Sequence, residues 1–305
     1  MSFTNVFILI MLVSFMSFYT IFYQDMQWDK IYLDDIINVN SQITGIDFQG
    51  LGLMRLFFFL IILTSCIVLI KDPEGLRINI YQNSKIVQLH LLRWDRFTMF
   101  TVWCWVLQGF YFGLSSYLVL LHNSSSFTLS RNKILYCTCV VLYEVSFSLA
   151  FLVTSVVTFI LIPFGKSKGL PVDNFFRPLP LMMHNLNVLF VSLDMILNKI
   201  NFFAMHFPFV VMIGISYVIF SWYWYHKKGI FYYFFLDYNG PRSVLWHSGL
   251  LIAVALFFFA GSSYSFLIQS GTKFSRLTLF VFTFFIMKVS NNSYWDYFIP
   301  KKWND

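Results

Sequence analysis

The chain has 305 residues, of which 58% are hydrophobic and 21% aromatic, and its formal net charge is +7. Charged residues make up only 11%, whereas a soluble globular domain carries about 25%. This composition excludes an ordinary soluble domain and indicates a chain that lies largely in lipid. The positive charge needs no nucleic acid as a partner, because basic loops beside anionic lipid headgroups account for it.

Apolar runs long enough to cross a bilayer, about 20 residues, recur along the chain. They are continuous rather than alternating at every second residue, so they predict helices and not barrel strands. We predict an all-α polytopic membrane bundle of seven or eight transmembrane helices around a six-helix core. The predicted spans are Phe3 to Tyr23, Gly50 to Ile70, Phe97 to Leu121, Ile134 to Ile162, Leu179 to Ile200, Phe203 to His226, Ser248 to Gln269 and a shorter one from Leu277 to Val289.

The first run has two interpretations, a signal peptide or an uncleaved first helix. It lacks a basic n-region and a clear small-residue cleavage site, which favours the uncleaved helix. The chain then divides into three regions. These are an extra helix with an acidic loop (1–49), the six-helix core (50–269) and a C-terminal extension (270–305).

Lysine and arginine are distributed unequally between the two sets of loops. If Met1 is cytoplasmic, fourteen lie on the cytoplasmic side and six on the other, which supports this orientation. The acidic stretch from Asp25 to Asp47 and the sequon Asn123-Ser124-Ser125 then face the lumen or exterior. The segments Lys71 to Arg96 and Lys227 to His247 carry clear turn signals and are predicted as cytoplasmic loops. An endomembrane or the plasma membrane is favoured, with a mitochondrial membrane as the alternative.

The sequence carries few of the motifs that mark cofactor or metal chemistry. The four cysteines fall within predicted spans without a CxxC pair, which favours buried small hydrophobes over metal or disulfide roles. There is no Walker loop, GxGxxG or GxSxG motif. We therefore predict no cofactor and no metal.

Polar side chains inside the spans are functional candidates, because they are costly in hydrocarbon. Four of them share one stripe of the fifth span, which must face the bundle interior or a wet cavity: His184, Asn187, Asp194 and Asn198. On the third span, Thr101 and Gln108 are seven residues apart and also share a face. Glu144 lies near the middle of the fourth span.

Two interpretations remain open for most of these groups. Gln108, Asn187 and Asn198 could simply hydrogen-bond helices together. Asp194 and Arg55, both near the outer end of their spans, could form an ion pair that holds the bundle together or could contact a substrate.

Thr101 and His184 stand out because their spans run in the same direction and both residues follow the start of their span closely. At about 1.5 Å per residue, each lies roughly 6 to 8 Å below the same membrane surface. A neutral imidazole within hydrogen-bond reach can take the proton of a threonine hydroxyl and make it a nucleophile. A lone threonine and histidine can equally serve packing and hydrogen bonding alone.

The order of several motifs resembles the androgen-induced transmembrane family, which are atypical threonine hydrolases of fatty acid esters of hydroxy fatty acids, and also the insect rolling-stone proteins. The resemblance extends from near Gly52 to near Gln269, about 215 residues. The motifs that carry it are Arg96-Phe97-Thr98-Met99-Phe100-Thr101, Leu107-Gln108-Gly109-Phe110-Tyr111-Phe112-Gly113, Met183-His184 with Asp194-Met195, His206-Phe207-Pro208, His226-Lys227-Lys228-Gly229 and Phe235-Leu236-Asp237-Tyr238-Asn239-Gly240-Pro241.

The resemblance implies that Thr101 is the nucleophile and His184 the base of a hydrolase acting on lipid esters inside the bilayer. The donors that would stabilise the oxyanion can be suggested only from side-chain chemistry. The candidates, either as these donors or as residues of a substrate cavity, are Gln108, Asn185, Asn187, Asp194 and Glu144. Shorter members of that family lack a counterpart of the first ninety-odd residues. The additions at 1–83 and 270–305 could bind membrane-protein partners, and the rival interpretation is a non-catalytic scaffold or accessory subunit of a larger membrane complex.

Overall fold

The computed structural model describes residues 2–40, 45–82, 85–121, 133–240 and 242–291. Seven helices in these ranges are long and apolar enough to cross a membrane. This confirms the predicted all-α polytopic bundle, and the chain is an integral, multi-pass membrane protein. The sequon at Asn123 and part of the acidic loop, residues 41–44, lie outside the described residues.

The helices follow one another with short connections. Their bounds are α1 Ser2–Tyr23, α2 Leu33–Ile37, α3 Phe48–Lys71, α4 Phe100–Leu121, α5 Lys133–Val156, α6 Ile162–Ser167, α7 Pro178–Leu181, α8 Asn187–Leu197, α9 Phe207–Lys228, α10 Ser243–Gln269 and α11 Ser275–Ile286. A π-helical turn, Val157–Leu161, joins α5 to α6, and a second one, Met182–Leu186, joins α7 to α8. Pro163 helps to explain the first, because proline cannot donate to the carbonyl four residues before it.

The shorter eighth run forms a helix that does not cross the bilayer. The 12 residues of α11 extend about 18 Å, whereas the hydrocarbon core is about 30 Å thick. The Thr283 hydroxyl on this helix hydrogen-bonds Ser192 at 2.7 Å, and the Ile286 carbonyl accepts from Thr158 at 2.8 Å. The described part of the C-terminal extension, residues 270–291, therefore packs into the core through α11.

The segment Lys71 to Arg96, predicted as a loop, instead contains a β-hairpin. Strand β1, Leu76–Gln82, pairs antiparallel with β2, Lys85–Leu91, in a register that places Leu76 opposite Leu91 and Gln82 opposite Lys85. The prediction was wrong because it weighed the turn signals and not the alternation of apolar and polar residues that follows them.

Helices α3 and α4 pack closely through glycines. A Cβ atom at Gly52 would lie 2.7 Å from Val119, and one at Gly109 would lie 2.9 Å from Ile62. Gly109 and Gly113 form a GxxxG pattern, which allows two helices in a membrane to approach each other. This contact fixes α4, and with it Thr101, against α3.

We call the side on which α3 ends and α4 begins the inner face; the charge bias predicts that it is cytoplasmic. On the opposite, outer side, the segment after α1 is tied to the bundle by buried polar groups. Arg55 Nη1 donates to the carbonyl of Ile36 at 2.7 Å, and His206 Nε2 lies 2.9 Å from the carbonyl of Met26. The N-terminal region thus belongs to the same hydrophobic core as the remaining helices.

Candidate functional site

Thr101 lies in the first turn of α4, at the inner face. The sequence predicted a helix from Phe97, but Arg93–Thr98 is a 3₁₀ helix and Met99 is extended, so α4 begins only at Phe100. Thr101 is therefore the second residue of its helix, closer to the helix start than predicted. Its side chain is 6% exposed, so it is buried yet placed at a helix N-terminus, where backbone N–H groups lack partners within the helix.

His184 lies in the π-helical turn between α7 and α8. Its backbone carbonyl accepts a hydrogen bond from the Thr154 hydroxyl at 2.6 Å, and its ring faces Phe175 with 5.8 Å between ring centroids. The ring is 8% exposed, and its Nδ1 has no hydrogen-bond partner among the described residues. A buried nitrogen without a partner costs about 1–3 kcal/mol, so such an atom calls for a functional explanation.

Three cavities converge on Thr101. The apolar cavity, about 110 Å³, lies between α1, α5, α9 and α10, and the hairpin cavity, about 120 Å³, lies beneath β1. The arginine cavity, about 280 Å³, opens between Arg96 and Arg177. Of the described residues, Thr101 alone lines all three, and His184 lines the hairpin and arginine cavities. The structure thus brings the two predicted residues to shared cavity walls.

The apolar cavity has an almost wholly aliphatic and aromatic lining. Helix α1, which the sequence marked as an addition, supplies Leu9, Ile10 and Val13 to it. Gly214 of α9 also lines it, and a Cβ atom built there meets no atom within 4 Å. The lining of this cavity therefore suits an apolar group beside Thr101.

Tyr233 is a residue of the site that the sequence analysis missed. It lies in the connection between α9 and α10 and lines both the apolar and the hairpin cavity. Burial raises the pKa of Tyr233 to about 12, while hydrogen-bonding interactions with the side chain and backbone of Thr101 and with the backbone of Phe100 oppose this rise. Its phenol therefore stays protonated at neutral pH beside the first turn of α4. Nothing in the sequence distinguishes it from the other sixteen tyrosines.

The other predicted amides join helices at a distance from these cavities. The Gln108 side chain donates to the carbonyl of Asn187 at 2.8 Å, and the Asn187 side chain accepts from Thr154 at 3.1 Å. The Asn185 side chain donates to the carbonyl of Lys288 at 3.0 Å. None of these three amides lines any of the three cavities.

The two predicted carboxylates lie on the outer side in ion pairs. Asp194 is fully buried, 2.7 Å from Arg55 Nε, and it also accepts from Tyr111 and from Asn198. The contact between Asp194 and Arg55 is an interhelical ion pair, which is one of the two roles predicted for these residues.

Glu144 forms the second pair, 2.6 Å from His206 Nδ1, and it also accepts from the backbone N–H of Phe203 at 2.6 Å. Neither Glu144 nor Asp194 lines any of the three cavities that meet at Thr101. Among the described residues, no group of three or more His, Cys, Asp or Glu side chains could hold a metal ion.

Comparisons of the chain with protein-family models, with curated proteins and with solved structures gave no match. The family resemblance therefore stays a prediction that the quoted motifs carry.

Proposed function

We propose that the protein is an integral-membrane hydrolase of lipid esters, with Thr101 as nucleophile and His184 as base. The observation that carries this proposal is the convergence of three cavities on Thr101, two of which His184 also lines. A nucleophile needs access from the membrane for a lipid chain and access from an aqueous side for water. Thr101 lies where a lipid chain from the membrane and water from the aqueous side can meet.

In this reaction the Thr101 hydroxyl attacks the ester carbonyl carbon while the His184 ring accepts its proton. The tetrahedral intermediate collapses, the bond to the alcohol oxygen breaks, and His184 returns the proton to the leaving alcohol. Water, deprotonated by His184, then attacks the acyl carbon, the bond to Thr101 Oγ1 breaks, and His184 returns the proton to Oγ1 as the fatty acid leaves. No metal or nucleotide takes part in these steps.

The first turn of α4 and Tyr233 are the proposed donors to the developing oxyanion. The N–H groups of Val102 and Trp103 already bind the carbonyl of Met99, at 3.1 and 3.3 Å. The preceding N–H groups of Phe100 and Thr101 have no acceptor within the helix, and Tyr233 lines the apolar and hairpin cavities together with Thr101. Helix N-termini and fixed hydroxyl donors favour negative charge, so these groups replace the side-chain amides as oxyanion candidates.

The cavity linings favour an ester with one long apolar chain and one anionic end. The apolar cavity suits the acyl chain, and the arginine cavity, with exposed Arg177 at its rim, suits the carboxylate of a hydroxy fatty acid. The proposed substrate is thus a fatty acid ester of a hydroxy fatty acid. We place the protein in an endomembrane or the plasma membrane, where such lipids partition.

The test is hydrolysis of branched fatty-acyl esters by the purified protein in proteoliposomes. Thr101→Ala and His184→Ala should each remove nearly all activity, because residues that act as one unit lose function together. Thr283→Ala is the matched control, since Thr283 is buried in α11 and lines none of the three cavities. Turnover that stays unchanged in the Thr101 or His184 variant, with the protein still folded, would refute the proposal.

A non-catalytic scaffold is the second candidate, and one observation favours it. Seven of the nine polar residues singled out from the sequence make interhelical or loop contacts rather than lining the cavities. Helix α1 is also the least buried span, with 17% of its most apolar window inside the bundle, so it has surface for a partner helix. Crosslinking in native membranes distinguishes the two functions, because a scaffold predicts a partner side chain inside the cavities.

A further inference from the structure

The β1–β2 hairpin lies across the inner ends of the spans. It leaves the bundle just after α3 ends at Lys71, and at its far end the Gln82 side chain donates to the carbonyl of Gly229, the residue after α9, at 2.7 Å. The Asn174 side chain holds the strand between these points by donating to the carbonyl of Arg77 at 2.7 Å. The C-terminal ends of α3 and α9 both lie at the inner face, so β1 is held at the level of the lipid headgroups.

Strand β2 forms the free edge of this hairpin. Its first four residues, 85–88, are all exposed, and Ile86 is 53% exposed. The chain then returns to the membrane through Leu92, 42% exposed, and Trp94, 66% exposed. Trp94 contacts the Phe97 ring, with 5.5 Å between centroids, yet these large apolar side chains all keep much of their surface exposed.

Cations are interleaved with these apolar groups. Residues 71–96 contain five lysines and arginines against three carboxylates, and one of the three, Asp72, is bound by Arg96 at 2.7 Å. Arg77 and Lys85 are exposed. A tryptophan with aliphatic side chains suits the boundary between headgroups and acyl chains, and lysines and arginines beside it attract anionic lipid.

We propose that the exposed part of the hairpin and of the segment after it, which includes Arg77, Lys85, Ile86, Leu92 and Trp94, binds anionic phospholipid headgroups of the bilayer around the bundle. Side chains of β1 also wall the hairpin cavity, so this binding holds the strand over Thr101. The proposal concerns lipid binding alone and stands whether or not the protein is a hydrolase.

The experiment uses the full chain with its four cysteines replaced by alanine and a spin label at Ile86→Cys, in vesicles of phosphatidylcholine with or without phosphatidylserine. Phosphatidylserine should raise the accessibility of the label to oxygen and lower its accessibility to a water-soluble nickel reagent. In native mass spectrometry, Arg77→Gln and Lys85→Gln should each reduce retained phosphatidylserine about fivefold.

Lys30→Gln and Lys273→Gln are the matched controls, because both lysines are exposed on the outer side, and they should leave the label and the retained lipid unchanged. If the label stays equally accessible to the nickel reagent in both kinds of vesicle, the surface is free for water or for a protein partner and the proposal fails. Equal phosphatidylserine retention by the Arg77→Gln and Lys85→Gln variants would also overturn it.

Discussion

At the scale of single residues, the buried polar groups of this membrane protein divide into two kinds. On the outer side, Arg55 pairs with Asp194 at 2.7 Å, and Glu144 hydrogen-bonds with His206 at 2.6 Å. At the inner face, His184 Nδ1 has no partner among the described residues, and His184 lines two of the three cavities that Thr101 lines. The paired groups on the outer side stabilise the bundle, whereas the His184 nitrogen at the inner face is available for a reaction.

Tyr233→Phe tests the proposed oxyanion donor. Removing the hydroxyl should lower ester hydrolysis about 10²-fold, as loss of one preorganised donor does, while substrate binding changes little. The measurement is kcat and KM in proteoliposomes. Tyr264→Phe is the control, because Tyr264 lies on α10 and lines none of the three cavities. A Tyr233→Phe enzyme with unchanged kcat would show that the phenol has no part in the reaction.

At the scale of elements, two helices and the hairpin define the cavities. Helix α1 provides a wall of the apolar cavity. On α9, Gly214 leaves open space in the same cavity, and the hairpin covers the inner face. Helix α1 and the hairpin, which contain none of the quoted motifs, therefore help to shape the space around Thr101.

Gly214→Leu should shorten the apolar cavity. The new side chain enters open space, so the fold should tolerate it, and esters of long acyl chains should lose at least about tenfold in kcat/KM relative to short ones. Gly249→Leu is the matched control, because a Cβ there also meets no atom within 4 Å and Gly249 is exposed on α10. Equal losses for short and long chains would place the acyl chain elsewhere.

The Asp72–Arg96 ion pair should make the base of the hairpin sensitive to acid. The hydrogen bond from Arg96 lowers the pKa of Asp72, so the stabilisation is fully present above the ordinary carboxyl pKa of about 4 and is lost as the pH falls through the lowered value. A spin label at Val87→Cys should become more mobile in that acid range. Asp72→Asn should abolish this pH dependence, and Glu74→Gln, at a neighbouring exposed carboxylate, should leave it intact.

At the scale of the whole molecule, the segments that looked like additions are parts of one core. Val39 pairs with Asn198 in an isolated β-bridge, and Trp28 stacks on the His206 ring with 4.8 Å between centroids. The outer end of the bundle is thus closed by the chain between α1 and α3. The inner end carries the cavities.

His206→Ala should release this closure. It removes the partner of the Met26 carbonyl and leaves the buried Glu144 without its hydrogen-bond partner, which should lower the free energy of unfolding by about 1–3 kcal/mol. We expect a lower Tm in detergent and faster proteolysis between residues 24 and 40. His226→Ala, at an exposed histidine near the end of α9, should change neither. Unaltered proteolysis in the His206 variant would mean that other contacts suffice to hold the segment.

The sequence by itself determined the membrane spans and the residues worth examining. In lipid, a long continuous apolar run can satisfy its own backbone hydrogen bonds only as a helix. The seven helices could therefore be located from hydropathy. Depth alone also selected Thr101 and His184, and the structure places both against the same two cavities. The role of the two residues stays a prediction.

Only the tertiary structure decided which polar groups meet. Asp194 lies on the same helical stripe as His184, yet it pairs with Arg55, 139 residues away, on the outer side. Periodicity gives the direction of a side chain but not its neighbour on another helix. The hairpin is local, so the alternation of apolar and polar residues could have predicted it. Tyr233 and the wall that α1 adds to the apolar cavity escaped the sequence for the same reason as the ion pair, since each acts through contacts between segments far apart in the chain.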